Sequence, residues 1–268
     1  MASYNTAKAF NIKNLGAIAS GYQADIVILD SLNNPMPNQI IKSGKIVSDN
    51  LLNSYFETPI KEVLLNTVSF NKVSAKDLSL SCYEKNHLIE LVPYSILTKH
   101  CYEAITKEND VFVANEIYSK LCVVERYQKT NRIACTALKG FSIKSGAIAT
   151  SVSHDSHNII AVGDNDQDLV IAINEIKKLQ GGYVIVSNGK VISSLSLKLG
   201  GLMSLESADY VERQVEAMIK QARKLNVPIE VDPFTTLSFI SLSVIPEIRL
   251  LEAGLYNVVE SSFIKNDK

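Results

Sequence analysis

The hydrophobic pattern of the first part of the chain consists of short apolar runs separated by turn-forming residues. Residues 24–29 form an apolar run rich in β-branched side chains, and two further runs flank the turn Ser43-Gly44-Lys45. A glycine between two such runs is typical of a β-hairpin, because the tight turn requires a positive φ. The pattern predicts a β-rich segment, and the polar, aperiodic residues 49–59 that follow place a domain boundary near residue 66.

The rest of the chain mixes strand and helix patterns. Two segments carry apolar residues at helical spacing: 164–180, which is stopped by the pair Gly181-Gly182, and 207–225. The pair Asn188-Gly189 between two apolar runs predicts a hairpin. We also expect a helix around 98–109 and a strand at 236–244. Together these patterns predict a mixed α and β protein.

Composition indicates a folded chain and excludes several classes of function. Of the 268 residues, 46% are hydrophobic and 21% are charged, which is ordinary globular usage. The net charge is −1, so the chain lacks the basic field that drives binding to nucleic acids. The longest uncharged apolar stretch, between Asp232 and Glu247, holds 14 residues, whereas a membrane-spanning helix needs about 20. The four cysteines form no CxxC pair and the N-terminus lacks a secretory signal, which favours a cytoplasmic protein with reduced thiols.

One polar block, residues 151–158, contains two of the four histidines, an aspartate and three serines between two apolar runs. If the block is extended, alternate side chains share a face. One face then carries Ser153, Asp155 and His157, and the other carries His154, Ser156 and Asn158. Imidazole and carboxylate groups exchange protons near neutral pH, so these six residues are our main candidates for contacts with a polar ligand.

Three interpretations of this block are open. The first is a hydrogen-bonded turn between strands, in which Asp and Asn side chains cap backbone amides. The second is a metal site built on His154, Asp155 and His157, which needs a bend because an extended strand would separate the two histidines. The third is a serine nucleophile with its base, although the sequence has no G-x-S-x-G elbow.

Weaker candidates lie outside this block. Glu125 and Arg126 end an apolar run, and they either pair with each other or meet an anionic ligand. Met203 lies in the segment 200–204, where backbone amides before a helix either bind an anion or form a tight entry turn. Asp232 belongs to a turn or lines a pocket.

Several segments resemble the C-terminal domain of the bacterial adenine deaminases. The longest is 139–159, which contains the polar block. The other matching segments are 123–126, 200–204, 232–239 and 244–250. Near the front, 15–18 and 21–27 look like the return into the small β-domain of the metal-dependent amidohydrolases. The likeness covers nearly the whole chain.

The resemblance implies an α+β fold in two parts. Residues 1–66 would be the end of the last barrel helix and a β-rich remnant of the amidohydrolase small domain. Residues 67–268 would be the mixed α/β C-terminal domain of an adenine deaminase. The resemblance also implies a cytoplasmic, homo-oligomeric enzyme of purine metabolism that hydrolyses adenine to hypoxanthine and ammonia.

The metal chemistry that the resemblance implies is not found in this sequence. The family uses a dinuclear manganese or iron centre, in a barrel domain, to make hydroxide available for attack on C6 of the purine. The ligands of that barrel include a His-x-His pair, and this sequence has none. We therefore expect the chain to bind no metal, to be inactive alone and to need a barrel half. It would be a fragment, a split-gene product or a truncated product.

Three hypotheses about the role of the domain follow from the resemblance. In the first, residues 153–158 close over the barrel mouth, where Asp155 accepts from a ring N–H or orients His157, and His154 or His157 donates to a ring nitrogen. In the second, the domain serves only structure and oligomer assembly. A third hypothesis is an independent purine-binding module.

Overall fold

The computed structural model describes residues 3–48, 59–127 and 130–264. The chain divides into two compact units between Pro59 and Ile60. The sequence pattern predicts a boundary slightly further along, near residue 66. Each unit has at least one β-sheet of its own.

The first unit contains a short helix and a three-stranded antiparallel sheet. Its elements are α1 (Tyr4–Ala9), β1 (Ile26–Leu29), β2 (Pro37–Lys42) and β3 (Lys45–Ile46), and the sheet order is β1-β2-β3. The turn between β2 and β3 has a positive φ at Ser43 (50°) and at Gly44 (76°). The Asp25 carboxylate accepts a hydrogen bond from the Ser43 backbone N–H at 2.7 Å, which ties this turn to the start of β1. The predicted hairpin is confirmed.

The second unit is built on an eight-stranded mixed sheet. Its strands, with the small hairpin β6–β7, are β4 (Asn86–Leu91), β5 (Thr98–Glu103), β6 (Lys107–Glu108), β7 (Val111–Phe112), β8 (Tyr118–Val124), β9 (Ile133–Lys139), β10 (Gly146–Thr150), β11 (Ile159–Gly163), β12 (Gly182–Ser187) and β13 (Lys190–Ser196). The sheet order is β13-β12-β10-β11-β8-β9-β4-β5. Neighbouring strands run antiparallel except β4 and β9, which run parallel. Two short 3₁₀ helices, Glu62–Leu65 and Ala75–Leu78, precede the sheet.

Three α-helices and a small sheet complete the described part of the second unit. They are α2 (Asp166–Leu179), α3 (Ala208–Lys224), α4 (Pro233–Phe239), β14 (Ile248–Leu251), β15 (Gly254–Asn257) and β16 (Ser262–Phe263). Asn165 caps α2 and Ser207 caps α3, each by accepting a backbone N–H of the first turn. These caps satisfy donors that the helix leaves unpaired, and both predicted helices are confirmed. No helix in the described ranges is long and apolar enough to cross a membrane.

Side chains of the central strands alternate between two hydrophobic cores. In β8, Leu121 and Val123 face a core shared with α3 and α4, whereas Cys122 and Val124 face a core shared with α2. Strands β8, β10 and β11 are buried at every position. The second unit is therefore a strand-rich, three-layered α and β structure, in which the mixed sheet is the middle layer.

The helix expected at 98–109 is wrong. This segment contains β5, which pairs with β4 over six positions. The Thr98 hydroxyl also donates to the Ile248 backbone carbonyl at 2.7 Å. Pairing with a neighbouring strand therefore decides the conformation, and local spacing could not reveal that partner.

The strand expected at 236–244 is also wrong, because α4 occupies its first part. Asp232 accepts hydrogen bonds from the backbone N–H groups of Phe234 and Thr235, and Pro233 takes the first helical position. A carboxylate cap followed by proline favours a helix start. Here the cap outweighs the strand-like composition of the residues that follow.

Gly182 begins β12 at a point where no side chain fits. Its φ is +141°, and a Cβ would lie 1.9 Å from the backbone carbonyl oxygen of Leu195 on β13. We predict that Gly182→Ala lowers the free energy of unfolding by about 3 kcal/mol or more, because the backbone of the sheet must move. Urea unfolding followed by circular dichroism measures this loss.

Gly189, in the turn between β12 and β13, provides the matched control. It also has a positive φ, +77°, but a Cβ there meets only the Gln167 side chain, at 3.4 Å. Gly189→Ala should cost about 1 kcal/mol, the strain of a positive φ alone. Equal losses for the two variants would contradict the close backbone approach at Gly182.

Candidate functional site

The polar block 151–158 forms the turn that joins β10 to β11. The backbone N–H of His157 donates to the Ser153 carbonyl at 2.8 Å, and His157 has a φ of 53°. The block is a turn and is not extended, so the condition for two alternating faces is not met and the turn sets the side-chain directions. Ser153 and Asn158 are buried, His154 and His157 are partly buried, and Asp155 and Ser156 are exposed.

Buried serines anchor the first half of this turn. The Ser151 hydroxyl donates to the Gly201 carbonyl at 2.5 Å and accepts from the Gly182 N–H at 2.8 Å. The Ser153 hydroxyl lies 2.6 Å from that of Ser241. Both hydroxyls are thus committed to hydrogen bonds within the fold, which supports the interpretation of this part as a structural turn.

His154 is held against α4. Its backbone N–H donates to the Ser238 carbonyl at 2.8 Å, and its ring centroid lies 4.7 Å from that of Phe239. The rings of His154 and His157 are 6.4 Å apart. The turn therefore places two imidazole groups side by side, one of them resting on an aromatic ring.

Asn158 joins three separate elements at the end of the turn. Its Oδ1 accepts from the Arg126 backbone N–H at 3.3 Å, and its Nδ2 donates to Glu252 Oε2 at 3.1 Å. Arg126 follows β8 and Glu252 follows β14. Asn158 is only 3% exposed, so this junction is a buried polar connection between the turn, the sheet and the C-terminal region.

Arg126 is a buried guanidinium with incomplete hydrogen bonding. The residue is 3% exposed, and its Nη2 donates to the Gly200 carbonyl at 3.1 Å. Nε and Nη1 have no hydrogen-bond partner among the described residues. A Cβ on Gly201 would lie 2.3 Å from Nη1, so this glycine makes room for the guanidinium. Since an unpaired buried donor is costly, Arg126 is the group that most requires a further partner.

Glu125 supports the loop that carries Arg126. Its Oε1 accepts from the Tyr127 backbone N–H at 2.9 Å, and its Oε2 accepts from the N–H groups of Thr130 and Asn131 at 3.1 and 3.2 Å. Glu125 as a whole residue is only 6% exposed. The structure therefore gives Glu125 a role in holding backbone amides of its own loop, whereas the sequence left open an ion pair with Arg126.

His157 lies beside this cluster and favours its neutral form. Its Nδ1 is buried and has no hydrogen-bond partner in the described part of the chain. Burial lowers the pKa of His157 below its usual 6.5, and the charges of Arg126 and His154 lower it further. A neutral imidazole keeps one nitrogen as donor and the other as acceptor, so His157 can bind a group of either kind.

The described residues do not fit a metal centre. Across residues 3–48, 59–127 and 130–264, no group of three or more His, Cys, Asp or Glu side chains is arranged to hold a metal ion. The metal interpretation of His154, Asp155 and His157 therefore has no ligand set in this structure. The dinuclear centre that the resemblance implies does not fit these residues.

Of the two remaining candidates, Met203 lies in the loop that contacts Arg126, whereas Asp232 lies at the start of α4. Met203 is 57% exposed, in the loop whose Gly200 and Gly201 contact Arg126. Asp232 caps α4 and lines a cleft of about 370 Å³ with residues such as Tyr94. The structure thus brings the Met203 loop next to Arg126 and gives Asp232 a capping role.

Two contributors to the site were missed by the sequence analysis. Glu252 reaches Asn158 from 94 positions away in the sequence, and no local pattern points to it. The Tyr127 hydroxyl donates to the Ser156 carbonyl at 3.0 Å, and its ring centroid lies 5.0 Å from Arg126 Cζ. An aromatic residue directly after a candidate arginine was the one available signal.

The family of the chain follows from comparison with known proteins. Residues 95–262 match the adenine deaminase C-terminal domain, and residues 1–48 match the amidohydrolase family. The chain belongs to the adenine deaminase C-terminal domain family. The resemblance drawn from the sequence is thereby confirmed, and the strand-rich α and β fold is that of this domain with a short amidohydrolase segment in front.

Full-length relatives are similar over nearly all of this chain. Adenine deaminase from Desulfitobacterium hafniense is 41% identical over 266 residues, which cover 99% of the chain and 46% of the relative. Adenine deaminase from Halalkalibacterium halodurans is 41% identical, with 98% and 46% covered. That from Clostridium acetobutylicum is 39% identical, with 98% and 47% covered. The chain spans about half the length of the curated relatives it matches, and it corresponds to their C-terminal portion.

We predict that the charge of Arg126 contributes, after burial, to the lowered pKa of His157. Replacing Arg126 by Gln removes a positive charge but keeps most of the burial, so the His157 pKa should rise toward 6.5. NMR titration of the histidine ring signals, assigned with His157→Gln, measures the shift. The exposed Arg132, in the same loop, is the control, and Arg132→Gln should leave the pKa unchanged.

The lowered pKa of His157 also predicts how the free energy of unfolding changes with pH. Because the folded pKa of His157 lies below the ordinary value of 6.5, the unfolded chain binds this proton more readily. The contribution of neutral His157 to the free energy of unfolding is therefore complete above pH 6.5. It is lost as the pH falls from 6.5 through the lower pKa of the folded protein. A His157 pKa at or above 6.5 in the folded protein would contradict the burial and charge described here.

Proposed function

We propose that this chain acts as the C-terminal part of an adenine deaminase, which hydrolyses adenine to hypoxanthine and ammonia. The support is its membership of the family and its similarity to relatives named adenine deaminase. We assign the dinuclear manganese or iron centre, and with it the supply of hydroxide, to the barrel part of such an enzyme. The His-x-His pair that the resemblance implies for that barrel has no counterpart in this sequence.

Within this proposal, Arg126 and the turn 151–158 help to hold the purine. The observation that carries it is the buried Arg126 guanidinium, two of whose nitrogens lack a partner among the described residues. Purine ring nitrogens accept hydrogen bonds and arginine only donates them, so the two chemistries match. The Nε and Nη1 atoms of Arg126 are covered by protein. A direct contact with the purine therefore requires the turn 151–158 to move. Without that movement, a water molecule relays the hydrogen bond.

The histidines and Asp155 would complete this contact. Asp155 is exposed and would accept from a ring N–H of the purine. His157, whose pKa burial lowers, would donate to or accept from a ring nitrogen through Nδ1, which has no hydrogen-bond partner among the described residues. His154 would donate from its place against Phe239. Each role follows from the donor and acceptor capacity of the side chain.

The rival hypothesis is a domain for structure and assembly only. A domain that serves packing alone has every reason to pair its buried polar atoms, since each unpaired one costs about 1–3 kcal/mol. Arg126 and His157 both leave such atoms without a partner in the described residues, which favours the contact hypothesis. A homo-oligomer is part of either hypothesis, and light scattering tests it.

We predict that catalysis needs the barrel and also Arg126. A polypeptide of these 268 residues should release no ammonia from adenine. Fused behind the N-terminal portion of the Desulfitobacterium hafniense relative, in place of its own C-terminal portion, it should become active. Arg126→Gln in this fusion should lower kcat/KM at least about tenfold, as loss of a hydrogen bond from a charged group does.

Arg132→Gln in the fusion is the matched control, because it removes an exposed arginine from the same loop. Its activity should equal that of the unchanged fusion. Arg126→Gln at full activity would reduce the turn and Arg126 to a structural role, and ammonia release by the 268-residue chain alone would refute the assignment of hydroxide formation to the barrel. If the fusion folds but is inactive, hydrogen exchange with and without hypoxanthine decides whether residues 151–158 become protected.

A further inference from the structure

Two thiols lie opposite each other on neighbouring strands of the central sheet. Cys122 on β8 and Cys135 on β9 are direct partners in the antiparallel register. Their Sγ atoms are 3.2 Å apart. Directly opposed residues of antiparallel strands have Cα atoms about 4.5–5.5 Å apart, which is within the range that a disulfide spans.

The two thiols differ in accessibility. Cys122 is fully buried, in the core between the sheet and α2, and Cys135 packs against that core while staying partly exposed. A small oxidant can therefore reach Cys135 first, with Cys122 directly behind it. The other two cysteines make different contacts, because Cys101 donates to Glu90 Oε2 at 3.1 Å and Cys82 to the Leu80 carbonyl at 3.8 Å.

We propose that Cys122 and Cys135 form an oxidation site, at which a peroxide converts the two thiols to a disulfide that thiols can reduce again. The proposal does not depend on deaminase activity. It rests on the register of β8 and β9 and on the distance between the two sulfur atoms.

The reaction with hydrogen peroxide balances in two steps. The Cys135 sulfur attacks one peroxide oxygen, so that an S–O bond forms, the O–O bond breaks and, with the thiol proton, one water leaves. The Cys122 sulfur then attacks the Cys135 sulfur, so that the S–S bond forms, the S–O bond breaks and a second water leaves with the Cys122 proton. The two thiols lose two electrons and two protons, and the peroxide is reduced to two waters.

Burial makes this oxidation slow and selective. The pKa of the Cys122 thiol is raised well above its usual value, chiefly by burial and then by its contact with Cys135. Since the thiolate is the reactive form, the raised pKa slows every reaction of Cys122, and burial leaves the Cys135 sulfur, 3.2 Å away, as the group within its reach. The site should therefore respond to sustained oxidant and resist brief exposure.

The cross-link would restrain the loop that carries the candidate site. The stretch from Cys122 to Cys135 contains Glu125 and Arg126, between the ends of β8 and β9. A bond between the two cysteines closes this stretch into a ring, which reduces the conformations open to it. Oxidation should thus restrict opening of the backbone around Arg126.

The experiment uses the full 268-residue chain, reduced and then treated with excess hydrogen peroxide. Remaining thiols are blocked with an alkylating reagent under denaturing conditions, and peptides are mapped by mass spectrometry. We expect a linkage between the peptides of Cys122 and Cys135, loss of two alkylatable thiols and recovery of both after dithiothreitol. Hydrogen exchange should show slower exchange at residues 125–127 in the oxidised protein.

Single variants provide the controls. Cys82→Ser and Cys101→Ser should keep the linkage, whereas Cys122→Ser and Cys135→Ser should abolish it. Wild-type protein that retains all four thiols, links another pair or is oxidised only to sulfinic acid would overturn the proposal. The wild-type peptide map needs no variant, so a variant that fails to fold does not weaken the test. A linkage with unchanged exchange at 125–127 would overturn the inferred restraint on the loop.

Discussion

The central strands of the eight-stranded sheet are covered on both faces, and this constraint decides where polar residues can lie. Strands β8, β10 and β11 are buried along their whole length, and the polar block 151–158, Glu125 and Arg126 lie where these strands end. Val124 pairs with Ile159, and Thr150 pairs with both Ile160 and Tyr183. The end of β8, the turn from β10 to β11 and the start of β12 therefore meet at one edge. The polar cluster is a consequence of sheet order and register.

Glycines let a second loop close against this edge. A Cβ on Gly181 would lie 2.4 Å from the Gly201 Cα, and a Cβ on Gly201 would lie 2.3 Å from Arg126 Nη1. The two backbones therefore touch, and the guanidinium rests directly on one of them. The segment 200–204 suggested either an anion site or a tight turn, and its observed contacts include Ser151, Gly181, Arg126 and Leu64. Close packing explains these glycines without a bound anion.

Local features were predictable from the sequence, and long-range ones were not. The helical spacing of α2 and α3 and the turn residues of two hairpins are local signals, and the structure has each of these elements where it was expected. The polar block was also recognisable, because its polar residues interrupt two apolar strands. Its internal geometry was not, because the partners of Ser153 and Asn158 lie 88 and 94 residues away. The candidate site depends on contacts between residues far apart in the sequence. The bounds of most helices and strands depend on local signals instead.

The loop after β8 is held by hydrogen bonds to Glu125, but it carries an arginine whose hydrogen bonding is incomplete among the described residues. Glu125 fixes the loop through three backbone N–H groups, and this support holds Arg126 in a place where two of its nitrogens lack a partner among the described residues. A buried charge with unmet hydrogen bonds favours any state that supplies the missing acceptor. A ligand that supplies this acceptor stabilises the loop through Arg126. A disulfide between Cys122 and Cys135 would restrain the same loop through the two strands that it connects. Both effects act on the same few residues, and that makes the loop the element through which ligand and oxidation can influence each other.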